Sequence, residues 1–173
     1  PEEILRLDNK FRKELGWDLR GEAVAQPWVE EDASTPHTLR LRYTIQSQKD
    51  MEGLMLALEN DENATVLLNG QPAEKEMGWY VDKCMHTVKL PGILKGENIL
   101  ELFMPYGKKA DAEACFLLGN FGVQVLGCCC VLTEPVTELT FGDITRQGLP
   151  FYGGNLTYHL AAETTGTVSY THL

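Results

Sequence analysis

Leu39, Leu41, Tyr43 and Ile45 alternate with Arg40, Arg42, Thr44 and Gln46 across residues 38–47. A two-residue period sends one set to each face of an extended strand, so this segment belongs in a sheet with one face on a core and the other in water. That division suits an antiparallel sheet, because strands of all-parallel sheets are covered on both faces and read as unbroken apolar runs.

The same grammar continues downstream. In residues 53–60, Leu54, Leu56 and Leu58 alternate with Met55, Ala57 and Glu59, and residues 65–68 give another short strand. Asn69-Gly70 then predicts a hairpin, since a type I′ turn needs positive φ at both central positions and Asn and Gly tolerate it most readily. Residues 71–78 read as a polar loop ending in Gly78-Trp79-Tyr80-Val81-Asp82. Residues 86–90 form a strand that Pro91 ends, and Lys95-Gly96-Glu97-Asn98 gathers turn formers. Ile99, Leu100, Leu102, Phe103 and Met104 follow, too apolar for a strand with one wet face, which predicts a central position.

Beyond a polar loop at 107–112, residues 114–118 and 122–126 read as strands around a Gly119-Asn120 turn, and 128–133 and 137–141 as the edge of the sheet pair. Residues 148–154 form a compact turn before a last strand at 155–161. Connections this short, with no crossover helix, argue against a parallel α/β sheet. One helix is predicted, at residues 2–15, from Ile4, Leu7, Phe11 and Leu15, with Gly16 as its stop and Asp8 as a second, later cap. Residues 17–37 lack periodicity and read as a wrapping segment that lays Trp17 and Trp28 on the domain. The predicted fold is therefore mainly β, an antiparallel β-sandwich with a short N-terminal helix. Its parts are an incoming helix and linker at 1–37, a sandwich at 38–145, a last strand or the start of a following sandwich at 146–167, and a non-native tail at 168–173.

The 173 residues, 43% of them hydrophobic, suffice for a real core. A formal charge of -10 argues against nucleic acid and against acidic membrane surfaces, which both reward clustered Lys and Arg. The apolar run at 115–132 is broken by Gly119, Asn120, Gly122, Gln124 and Gly127, so it reads as two buried strands and a turn instead of a span. Five cysteines cannot all pair, and Cys128, Cys129 and Cys130 are consecutive, which fits neither a disulfide framework nor metal-ligand spacing. They read as small buried hydrophobes. Unpaired thiols and the lack of a signal peptide lean toward a bacterial cytoplasm.

Few residues suggest chemistry. Ser34, Ser47 and Ser169 lie in no nucleophile elbow. Cys84 and His86 are two apart on a strand, where ordinary side chains would sit anyway. The four histidines, His37, His86, His159 and His172, never recur at ligand spacing, so no metal or cofactor is expected. Asp61-Glu62-Asn63 offers calcium-type oxygen ligands, against the commoner alternative of a solvated turn. Glu97 and Glu101 read as the solvent side of their strand. No catalytic residue is assigned.

Taken in order, LEN, VLLNG, GWYVD, LPGILKGENILEL, CFLLGNFGV and GLPFYGGNLTYHL resemble the galactose-binding-like, jelly-roll β-sandwich modules of large bacterial glycoside hydrolases. These include the β-galactosidase/β-glucuronidase superfamily and α-L-rhamnosidase-like enzymes. The likeness covers residues 38–163, and Leu94-Lys95-Gly96-Glu97-Asn98 matches a structural corner of that family. It implies a non-catalytic, carbohydrate-associated module that braces the catalytic domain of the same polypeptide or helps bind oligosaccharide. Trp79, Tyr80 and Asp82 would be the sugar-binding residues, with Asn69 and Asn120 as further polar partners, because a pyranose stacks its C–H face on a ring while a carboxylate or amide takes its hydroxyls. Two structural readings compete with these assignments: packing of the aromatics in the core, and a pure turn role for Asn69. The alternative function is an immunoglobulin- or fibronectin-like interaction sandwich with no sugar role.

Overall fold

The computed structural model describes residues 3–20, 32–59, 61–110, 112–159, 161 and 166. The fold is mainly β, with one N-terminal helix, α1 (Ile4–Glu14). Its strands are β1 (His37–Ser47), β2 (Met55–Leu58), β3 (Thr65–Leu68), β4 (Gln71–Pro72), β5 (Glu74–Tyr80), β6 (Asp82–Lys89), β7 (Gly96–Tyr106), β8 (Phe116–Leu118), β9 (Gly122–Leu126) and β10 (Cys129–Thr133). They form two sheets, ordered β4-β3-β7-β1-β10-β9 and β5-β6-β2-β8.

The frame is the antiparallel pairing of β1 with β7, in unbroken register from His37↔Tyr106 to Ser47↔Gly96. β7 lies between β1 and β3, so its apolar sequence has the central place its composition predicts. Leu39 and Leu41 of β1, Leu100 and Leu102 of β7 and Val66 and Leu68 of β3 enter one core with Leu56 and Leu58 of β2 and Val88 of β6. Both sheets thus supply that core, and the alternation of leucine with polar residues fixes which face each strand turns inward.

Asn69 and Gly70 adopt φ of 52° and 78°, the paired positive values of the predicted hairpin turn. At the corner before β7, Gly96 has φ 101° and Asn98 is fully buried. Asn98 Oδ1 accepts from Leu94 N–H at 2.9 Å and from Asn69 Nδ2 at 2.8 Å, while its own Nδ2 donates to Leu94 O at 2.7 Å. Asn69 Oδ1 in turn accepts Ile99 N–H at 2.9 Å. Two carboxamides therefore clasp the β3–β4 turn to the start of β7, which explains why Asn follows Gly-Glu here.

α1 begins at Ile4, not at a cap on Asp8: Glu3 caps it, accepting from the N–H groups of Leu5 and Arg6. Its most buried residues are charged. Asp8, 1% exposed, accepts from Tyr106 Oη at 2.7 Å, Arg20 Nε at 2.7 Å and Arg12 Nε at 3.0 Å. Arg12 also donates to Lys108 O at 2.6 Å and Arg20 to Ala110 O at 2.6 Å. Trp17 stacks on Tyr106 with centroids 5.6 Å apart, in the packing role expected of it. Trp28 lies outside the described residues.

Several sequence expectations need correction. β1 and β10 pair in parallel, through Gln46↔Val131 and Ser47↔Leu132, so the larger sheet is mixed, not wholly antiparallel. Residues 71–78 are not a loop: β4 and β5 occupy them, and a register shift between Lys75 and Gly78 hides the strand period. β8 and β9 do not pair around Gly119-Asn120, where the chain passes from one sheet to the other. They are only half-buried: Leu117 and Val123 pack against the core, while Phe116, Val125 and Leu126 are exposed. No strand occurs at 137–141, nor at 155–159 among the described residues. Cys128, Cys129 and Cys130 are exposed instead of buried, because they sit at the β9–β10 hairpin end.

Candidate functional site

The strongest candidate is the end of the β5–β6 hairpin. Tyr80 stands opposite Asp82, leaving Val81 alone in the turn at φ 62°. A β-branched residue disfavours positive φ, at a strain of roughly 1–3 kcal/mol. Val81 is also the most exposed large apolar residue among the described residues, at 78%.

A register shift falls between the two aromatics that the sequence places side by side. Trp79 pairs with His86, and His86 with Leu58, so its indole shares the face of the sheet that holds the core. It lies past the end of that core and is 58% exposed. Tyr80 takes the other face, where its ring meets Phe116 at 6.4 Å. Phe116 pairs with Ala57, Ala57 with Thr87 and Thr87 with Gly78, which makes one row across the sheet. Tyr80 and Phe116 thus lean toward each other over two small residues, and Ala57 and Thr87 are buried on this outer face. Gly78 sits close against Thr87, whose hydroxyl would have to shift to admit a Cβ there.

Core packing of Trp79 and Tyr80 is therefore overturned; 40% of Tyr80 also faces solvent. Asn69 does not join them. It belongs to the other sheet, and both ends of its carboxamide are occupied by Asn98 and Ile99. Its place is structural because a positive-φ turn aims the amide at the neighbouring strand. Asn120 lies in the exposed link between β8 and β9.

Asp82 is an exposed anion. The Cys84 backbone N–H, donating at 2.9 Å to Oδ1, and the Cys84 thiol hold its pKa below the ordinary carboxylate value. The hydrogen bond and charge of Asp82 push the Cys84 thiol up, the opposite of nucleophile activation. Glu101 pairs with Arg40 and Glu97 accepts from Gln46 Nε2 at 3.4 Å, so both serve the outer face of the larger sheet. Among the described residues no group of three His, Cys, Asp or Glu side chains converges to hold a metal ion. The backbone at Asp61–Asn63 is a 3₁₀ turn, and the Asp61 side chain is outside the description. No helix among the described residues is long and apolar enough to cross a membrane.

The sequence reading missed a groove of about 450 Å³ where β4, β5 and the end of β6 meet. Glu52, Gln71, Glu74 and Lys89 give it hydrogen-bonding groups, and Pro72 and Pro91 an apolar wall. These residues come from separate turns and strand ends, which no local pattern links. The groove and the aromatic turn lie at opposite ends of the β5–β6 hairpin, since Glu74 pairs with Lys89 at one end and Tyr80 with Asp82 at the other. No family model, no curated protein and no solved structure matches this chain.

Proposed function

We propose that this chain is a non-catalytic β-sandwich module of jelly-roll, galactose-binding-like type within a glycoside hydrolase. It braces the catalytic domain of the same polypeptide and presents Trp79, with Asp82 beside the turn, to a saccharide. The observation that carries this reading is the exposure of Trp79 on a strained hairpin end. An indole costs solvation when left in water, and a flat ring at 58% exposure is the platform a pyranose C–H face requires. Tyr80 takes a supporting part, fixing the hairpin through Phe116 on the opposite face.

Calorimetric titration of the chain with a panel of oligosaccharides tests the sugar role. At least one is expected to bind, with affinity lost in Trp79→Ala. If none binds, bracing alone remains. One observation favours the interaction-sandwich alternative, the apolar Val125 and Leu126 exposed on edge strand β9. Under that alternative Val125→Lys would abolish partner binding and Trp79→Ala would not.

A further inference from the structure

The β9–β10 hairpin ends in Leu126, Gly127, Cys128 and Cys129, with Gly127 at φ 61° and all of Cys128, Cys129 and Cys130 exposed as free thiols. Such a turn leaves adjacent side chains uncovered. Cys128 and Cys129 are consecutive, the first in the turn and the second opening β10. Cys130 follows along β10, where alternation turns it to the opposite face from Cys129. Across the ladder, Cys129 pairs with Leu126, which is exposed, so one side of the thiol pair is apolar.

We propose that Cys128 and Cys129 form a vicinal dithiol site that chelates monosubstituted trivalent arsenicals. The choice of ligand follows from what the site lacks and holds. No third donor converges on these sulfurs among the described residues, which disfavours tetrahedral zinc. Soft thiols select soft acceptors, and a pyramidal As(III) centre carrying one organic group needs two sulfurs and no more. The neighbouring Cys128 raises the Cys129 thiol above its ordinary value, so a bare cation, which requires thiolates, is disfavoured. An arsenical oxide avoids that need: R–As=O and two S–H groups give R–As(S)₂ and one water. Two As–S bonds form, the oxygen leaves with both thiol protons, and no electron is transferred.

The test is intact-mass spectrometry of the full chain treated with phenylarsine oxide and then with excess glutathione. One phenylarsenic adduct that resists the monothiol and is removed by dimercaptopropanol is expected. It should be lost in Cys128→Ser and in Cys129→Ser, and kept in Cys130→Ser and Cys84→Ser. These exposed serine changes are to be checked for retained β-sheet circular dichroism. A resistant adduct that survives either of the first two substitutions, its loss in Cys130→Ser, or its absence from the folded parent chain would overturn the assignment.

Discussion

Asp8 shows at the residue scale how a charge can anchor an element. Burial would raise its pKa, but hydrogen bonds from Tyr106, Arg20 and Arg12 outweigh that and hold it below the ordinary value of 3.8. A carboxylate depressed in the folded chain stabilises fully above its unfolded pKa, and that contribution disappears as pH falls through the folded value. Tyr106 behaves in the opposite sense: burial and the bond to Asp8 push it up to about 12, so its contribution is full below about 10 and lost as pH rises toward 12. Thermal unfolding against pH is therefore expected to show α1 docking intact between those limits and lost on both sides. Asp8→Asn leaves the buried Arg12 without its anion and is expected to cost about 3–5 kcal/mol. Tyr106→Phe removes one hydrogen bond to a charged group, about 1.5–3 kcal/mol. Chemical denaturation measures both. None of this was legible in the sequence, where Asp8 passes for a helix cap, because its partners lie as far away as Tyr106.

The instructive contrast at the element scale is between β1 and β5. Alternation reads directly in β1 because it pairs without interruption along its whole length. It fails in β5 because the bulge before Gly78 breaks the period, and the polar composition of 71–78 then mimics a loop. Gly78 lies in that irregularity, and Gly78→Ala is expected to destabilise by about 1–3 kcal/mol, since added volume must displace Thr87. The same row predicts that Ala57→Leu forces Tyr80 and Phe116 apart at similar cost. Trp79→Ala, by contrast, should change stability by no more than about 0.5 kcal/mol, as expected for an exposed side chain away from packed features. The carboxamide clasp marks where local reading and long-range packing meet. Asn69-Gly70 is legible as a turn, but its hold on Asn98 is not. Asn98→Ala leaves the Leu94 amide and the Asn69 amide without acceptors and is expected to cost about 2–6 kcal/mol, from about 1–3 per orphaned group.

Among the described residues, two sheets feed one apolar core, with α1 tied to the end of β7. The sequence foretold the β class and the central strand, because those follow from periodicity within single segments. It did not foretell the parallel β1–β10 contact, the assignment of β8 and β9 to different sheets, or the opposed faces of Trp79 and Tyr80. Each of these depends on how remote segments come together. The functional account rests on the hairpin end where Trp79 stands clear of that core. It is tested most directly by two-dimensional ¹H–¹⁵N spectra of the full chain titrated with the saccharide panel. The account predicts that one saccharide shifts the Trp79 indole N–H and amides of residues 79–86, saturably, and leaves the Asp8 cluster unmoved. Saturating shifts centred anywhere else, or shifts that persist in Trp79→Ala, would contradict it.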